Sequence, residues 1–350
     1  MNGNKKSVVF VVNPISGTRS KRFIYSLINK LTDREKFSWE IIKTEKVGHA
    51  VEIAAQAVRN STDIVVAIGG DGTVNEVARS LVHTRTALGV IPCGSGNGLA
   101  RHLQIPLEPH RAIAALNESI MGTIDYGKIN EMPFFCTCGL GFDAFVSMKF
   151  ATAGKRGVLT YVEKALREYL TYEPETYELE TADRKVKYKA FLLACGNAAQ
   201  YGNNAYIAPH AMITDGLLDV TILEPFTMLD VPTLAFQLFN KTIDQNDLIK
   251  TFRCKSLYIS RDRPGVIHFD GDPMMSQKDV RIEMIRQSLN VMIPREKAST
   301  TVLQKASDYL MELKMMNELI SKNILEKNKL IIRRNKRLIK RIIENGRIIK

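Results

Sequence analysis

Two glycine-rich stretches hold the residue types best suited to chemistry. "GGDGT" at 69–73 follows the apolar run "DIVVAI", and "CGSGNG" at 93–98 follows "ALGVIP". Each lies between a mostly β-branched or apolar run of the kind buried in a parallel sheet and a stretch with helical spacing, such as Val74, Val77, Ala78 and Leu81. A strand-to-helix turn of this composition has little side-chain bulk. It presents free backbone N–H groups at a positive helix end, which suits phosphate. An ordinary tight βα turn is the competing reading of either loop alone. Two such loops one βα unit apart can face one ligand from adjacent strand ends. Neither fits the Walker pattern, and the loop after the first strand, "NPISGTRS", lacks the G-x-G-x-x-G fingerprint. A phosphate site of another type is expected.

The elements that must hold these loops are legible in the same way. "KSVVFVV", "SWEIIKTE", "DIVVAI" and "ALGVIP" read as strands, with helical spacing at 19–31, in "GHAVEIAAQAVRN" and at 73–82. This alternation up to about residue 120 predicts an α/β domain with a parallel sheet, and "GGDGT" by itself resembles the loop of NAD kinases and phosphofructokinases, which implies a sheet of their kind. After "GTIDYGKIN" come short alternating segments such as "ETYELET", "VKYKAFLLACGN", "GLLDVTIL" and "GVIHFDGD", which predict an antiparallel, β-rich sandwich. Helices are expected near 155–170 and 226–243. The expected division is an α/β domain over 1–125, a β-rich domain over 126–298 with a cleft between them, and a helical tail over 299–350.

With 350 residues, 45% hydrophobic and 25% charged, the chain has ordinary globular composition and length for two domains. No run approaches the roughly 20 apolar residues of a spanning helix. The basic start lacks a small-residue cleavage site, so an intracellular chain is expected. The five cysteines are scattered, and "CTC" at 136–138 lacks zinc-site spacing, so all five are expected to be reduced. The net charge of +12 is uneven, because residues 321–350 alone carry +9. There, pairs such as Ile331/Ile332, Leu338/Ile339 and Ile342/Ile343 form a near-heptad stripe beside a basic face. A basic amphipathic helix on anionic lipid, a helix packing on a partner, and a helix packing on its own chain all fit. Nucleic acid is not expected, for want of aromatic or motif support.

"VVNPISG", "GGDGTVNEV", "IPCGSGNGLARHLQIP", "TIDYGKIN", "GLGFDA", "APHAMITDGLLDV" and "FDGDP" occur in the order seen in the diacylglycerol kinase catalytic-domain family. The resemblance spans about residues 6 to 295. That family includes bacterial diacylglycerol and related lipid kinases, sphingosine kinases and ceramide kinases. The resemblance implies an ATP-dependent, Mg²⁺-using kinase acting on a hydroxyl of a membrane lipid, with a role in phospholipid metabolism. It also implies a cytoplasmic enzyme peripherally associated with the inner face of the membrane, and a homodimer is compatible with it. A catalytically inactive lipid- or nucleotide-binding regulator and an NAD kinase are the alternatives.

Carried over residue by residue, the resemblance places Asn13, Thr44, Gly69, Gly70, Asp71, Gly72, Thr73, Val74, Asn75, Glu76 and Ser95 around ATP. Asp71 and a phosphate are both anions, so its sensible role is to organise Mg²⁺ beside the phosphates, with Asp125 as the second acid. A strand-end cap is the plain reading of Asp125. Bacterial members use a glutamate in a late "DGE" as general base; here Asp272 takes that place on a side chain one methylene shorter, and Asp71 competes for the role. Asp215 with the carbonyls of Met212 and Leu217 matches a structural Mg²⁺ site, although Asp215-Gly216 is also a good turn. Asp143 matches a lipid head-group ligand in sphingosine kinases, or else caps structure. His49 is either a nucleotide contact or a helix-start residue. "GSGNGLA" lacks the acid that bacterial members carry after the asparagine, where Gly98 stands.

Overall fold

β-Branched runs become parallel strands where helices cover both faces. Lys6–Val12 (β1), Phe37–Lys43 (β2), Ile64–Gly69 (β3) and Ala87–Pro92 (β4) do so in the computed structural model. It describes residues 5–16, 22–151 and 172–295. The strands pair in the order β2-β1-β3-β4, all parallel. The helices are Arg22–Leu31 (α1), His49–Arg59 (α2), Asp71–Leu81 (α3), Gly98–His102 (α4) and Pro109–Asn117 (α5). Helix α2 packs with α3, and α1 with α5. β3 and β4 are consequently buried along their whole length.

The second half is antiparallel. Its strands are Ser119–Ile129 (β5), Met132–Phe134 (β6), Thr137–Gly141 (β7), Glu175–Glu180 (β8), Lys185–Ala190 (β9), Leu192–Gly196 (β10) and Leu218–Leu223 (β11). Ile249–Cys254 (β12), Ser256–Arg261 (β13), Gly265–Phe269 (β14), Asp272–Ser276 (β15) and Asp279–Pro294 (β16) follow. Among the described residues two α-helices interrupt them, Phe142–Ala151 (α6) and Val231–Phe239 (α7). Strands β12-β11-β10-β7-β14-β15 form a six-stranded sheet. It faces β5, β6, β8, β9, β13 and the first half of β16 across a core that includes Leu140, Leu193, Val220, Ile267, Tyr177, Ile259 and Ile282. Strand alternation sends His268, Gly139 and Ala194 to the opposite face of that sheet.

The two halves share one sheet. β16 runs antiparallel to β5 along both and lies parallel to β4 at Val291–Leu88. The boundary expected at 125/126 therefore falls inside β5. The register of β16 shifts between Ile285 and Leu289, and Gln287 there has φ 46°. Asp125, fully buried, accepts the Gln287 N–H at 2.6 Å on one oxygen and the Gly216 N–H at 2.7 Å on the other. It ties the bulge to the 212–217 loop from the middle of β5, a structural role other than the strand-end cap of the plain reading. Asp125→Ala should cost about 2 kcal/mol, the order expected for stranded backbone donors. Urea unfolding measures the loss; an unchanged KM for ATP in the same variant would separate this role from a nucleotide-metal one.

The helix expected near 155–170 and the tail over 299–350 lie outside the described residues. No helix among the described residues is long and apolar enough to cross a membrane.

Candidate active site

The two glycine loops meet backbone to backbone. A Cβ on Gly94 would stand 2.5 Å from the Gly70 Cα, a separation that only paired glycines permit. Asp71 then clasps the loops together. One of its carboxylate oxygens accepts the Asn97 N–H at 2.8 Å and the other the Gly98 N–H at 2.7 Å. The position where an acid was missing thus supplies a backbone donor instead. Burial raises the Asp71 pKa, the two N–H groups oppose that rise, and the nearby Asp270 charge adds to it. Asn97, at φ 53°, bends the chain into α4 and bonds Gly94 from both ends of its amide.

The expected nucleotide residues divide in two. Asn13, at the end of β1, donates to the Thr73 hydroxyl at 2.9 Å. The Thr44 N–H donates to the Val12 carbonyl at 2.9 Å, which sets the end of β2 beside β1. Ser95 is exposed on the second loop, and the Gly69–Thr73 turn opens α3, whose first-turn N–H groups have no carbonyl of their own helix to meet. Val74, by contrast, is buried in the core, and its N–H is bonded to the Gly70 carbonyl at 3.0 Å. Asn75 donates to Asp270 at 2.9 Å and to the Pro133 carbonyl at 3.1 Å. Glu76 accepts the Gly48 N–H at 3.1 Å, and His49 accepts the Glu45 N–H at 3.0 Å at the start of α2. The Val74 side chain is used in core packing and the Asn75 amide in the Asp270 and Pro133 bonds, so neither presents a free side-chain donor to a nucleotide.

Asp270 is the residue that sequence reasoning undervalued. With Gly271 it forms the turn between β14 and β15, and both have positive φ, 48° and 87°. That is the left-handed pair an Asp-Gly hairpin turn requires. Its carboxylate also accepts four N–H groups, from Asn75 (2.9 Å), Phe135 (2.9 Å), Cys136 (2.8 Å) and Thr137 (3.1 Å). One buried acid therefore joins α3 to the antiparallel half and aims the next carboxylate. Asp272 lies on the exposed rim, and its oxygens are 3.7 and 3.9 Å from where a Gly72 Cβ would be. Burial of the carboxyl, then the Asp270 and Glu76 charges, push its pKa up to about 6, with Arg79 opposing.

Asp270 rather than Asp125 is the acid whose charge acts on Asp71, and the Asp125 oxygens bond the Gly216 and Gln287 N–H groups. Among the described residues no group of three or more His, Cys, Asp or Glu is placed to hold a metal. Asp71 does fit a Mg²⁺ carried by phosphates, which needs only one or two carboxylates, because each of its oxygens keeps a second lone pair beside its backbone bond. The Asp215 set fits a metal less well. Its oxygens meet the Leu217 N–H at 3.0 Å and the Arg253 guanidinium at 3.7 Å, and Arg253 also bonds Asp219 at 2.9 Å. A protein cation already neutralises that carboxylate. Asp143 is only 5% exposed. It accepts the Tyr201 hydroxyl at 2.9 Å, lies 3.0 Å from His268 Nε2, and accepts the Ala144 N–H at 2.8 Å. Its structural reading prevails over direct head-group contact. A separate cavity of about 420 Å³ at the β11–β12 edge is lined by His210, Asp219, Asp244 and Arg253, far across the sheet from β14 and β15.

Residues 7–129 match the model of the diacylglycerol kinase catalytic domain, and residues 137–293 that of the YegS C-terminal NAD kinase beta sandwich-like domain. The chain is 30% identical over 268 residues to the "Probable lipid kinase YegS-like" protein of Stenotrophomonas maltophilia, covering 73% of this chain and 86% of that one. It is 28% identical over 298 residues to a diacylglycerol kinase of Mycobacterium tuberculosis, covering 82% and 95%. The fold is similar to a crystal structure of a diacylglycerol kinase from Bacillus anthracis, with TM-score 0.64, 19% identity and coverage of 83% and 97%.

Proposed function

Because this chain belongs to the diacylglycerol kinase catalytic-domain family and is a lipid kinase of that type, we propose that it transfers the γ-phosphoryl group of ATP to the hydroxyl of a neutral, diacylglycerol-like membrane lipid. The observation that carries the reading is the pair of glycine loops clasped by Asp71, with the Asp272 carboxyl facing Gly72. Phosphate would lie on the first turn of α3 and beside Ser95, with Asn13 and Thr73 at one flank. Four carboxylates (Asp71, Glu76, Asp270 and Asp272) gather there, so an anionic nucleotide needs a counter-cation. Mg²⁺ bound with ATP would supply that charge, with Asp71 as its protein carboxylate and Asp272 left free to take the acceptor's proton.

Asp272 acts as general base. A carboxyl shifted up to about 6 takes a proton more readily than an ordinary aspartate yet is ionised at pH 7. Phosphoryl transfer otherwise rests on positioning, which the Asp270 turn provides. The engaged, buried Asp143 supports a neutral acceptor, because no free carboxylate there awaits the ammonium of a sphingoid base.

Labelled ATP with purified protein and mixed micelles of diacylglycerol, ceramide or sphingosine tests this, with NAD as a soluble control. Diacylglycerol should be phosphorylated. Transfer to no lipid would reject the activity, and preference for sphingosine would reject the acceptor. The basic tail supports peripheral attachment to anionic lipid at the cytoplasmic face. Removing 320–350 should weaken sedimentation with phosphatidylserine vesicles while lipid phosphorylation in neutral detergent micelles persists; equal sedimentation would reject membrane attachment through the tail.

A further inference from the structure

Two residues before Asp270, β14 carries a histidine that is 2% exposed on the face turned away from the sandwich core. His268 Nε2 lies 3.0 Å from the Asp143 oxygen that also accepts the Tyr201 hydroxyl. Its other ring nitrogen, Nδ1, is buried without a hydrogen-bond partner. An apolar side chain would avoid that desolvation cost, so packing alone does not account for a histidine here. The space for the contact is built in. Gly139 stands opposite His268 in the neighbouring strand, and a Cβ there would come within 2.6 Å of the Asp143 oxygen and 2.9 Å of His268 Nε2.

The cluster joins three segments: Asp143 from the first turn of α6, Tyr201 from the loop after β10, and His268 from β14. Helix α6 packs directly on β14 and β15. The Tyr201 loop in turn rests on the second glycine loop, where the Asn203 N–H donates to the Gly96 carbonyl at 3.1 Å and Arg101 donates to Asn204 at 2.9 Å. We propose that His268 is a positioning residue: held by Asp143, which Tyr201 holds in turn, it fixes the end of β14 and so the placement of Asp270 and Asp272. The catalytic consequence rests on the kinase reading; the positioning itself does not.

Full-length His268→Ala should lose about 10- to 100-fold in kcat for lipid phosphorylation, the scale set by a small misplacement of a catalytic group, with KM for ATP unchanged. His268→Gln, which keeps a side-chain N–H, should recover most of the loss. Hydrogen exchange followed by mass spectrometry should show faster exchange in peptides spanning Phe135–Thr137, whose amides donate to Asp270. Val220→Ala, on the inner face of the same sheet, controls for general loosening and should produce neither effect. Wild-type kcat and exchange in His268→Ala, or the same changes in Val220→Ala, would overturn the proposal. If the wild-type chain phosphorylates no lipid, the kinase reading fails by itself and exchange alone decides: faster exchange supports positioning and unchanged exchange rejects it. Should His268→Ala not fold, Tyr201→Phe removes a single hydroxyl and is held to the same outcomes.

Discussion

Asp272→Asn is expected to slow lipid phosphorylation by roughly 10²- to 10⁴-fold, the usual contribution of a general base, while ATP binding is unchanged. The amide keeps the shape of the rim but cannot take the hydroxyl proton. In the wild-type enzyme kcat should rise with pH through about 6, because burial and the Asp270 and Glu76 charges raise the pKa of the group that must be ionised. Glu76→Gln removes one of those charges and should move this acid limb to lower pH, whereas Asp272→Asn should abolish it. Asp272→Glu, which keeps a carboxylate on a side chain one methylene longer, should retain turnover. The shift also has a sign for stability. A carboxyl whose pKa is raised on folding favours the folded chain at low pH, and that contribution is lost as pH rises through about 6. Asp272→Asn should therefore raise Tm at pH 8 but not at pH 4. Wild-type turnover by Asp272→Asn would remove the base assignment.

Asp71→Ala is expected to nearly abolish turnover by a different route. It strands the Asn97 and Gly98 N–H groups, at about 1–3 kcal/mol for each buried donor left unpaired, and releases the clasp between the glycine loops. ATP affinity and Tm should both fall, unlike in Asp272→Asn. Asp71→Asn should be intermediate to severe, since the amide offers one acceptor oxygen and turns its NH₂ toward a backbone donor. Isothermal titration with ATP and thermal unfolding on the same samples separate the two aspartates. Intact ATP affinity and intact Tm in Asp71→Ala would refute the clasp. Asp71 is also the poorer candidate base, because both of its oxygens are already bonded to backbone.

Local sequence was a sound guide wherever the governing contacts are local. β-Branched runs such as 64–68 and helical spacing such as Val74, Val77 and Leu81 mark elements whose burial pattern repeats along the chain, so β1 to β4 and α2 and α3 stand where periodicity put them. Asp270-Gly271 is legible as a turn because positive φ is a property of the residue pair. Asp125 and Asp71 were not separable this way. Both are acids beside phosphate-like or turn-like motifs, and which backbone N–H reaches each carboxylate depends on loops 27 and 162 positions away in sequence. The return of β16 to lie against β4 was equally hidden, since alternation reports that a segment is a strand and says nothing of its neighbour.

Residue type, spacing and motif order were enough for the α/β-then-β order, the family, and the choice of Asp71, Asp125, Asp143, Asp215 and Asp272 as the acids to watch. The tertiary structure decided what each acid does. Asp71 clasps two loops, Asp125 ties down a bulge, Asp143 is locked by Tyr201 and His268, and Asp272 sets its carboxyl at the rim beside Gly72. The physical reason is that a carboxylate's role is set by which donors and charges surround it, and those arrive from distant parts of the chain only on folding.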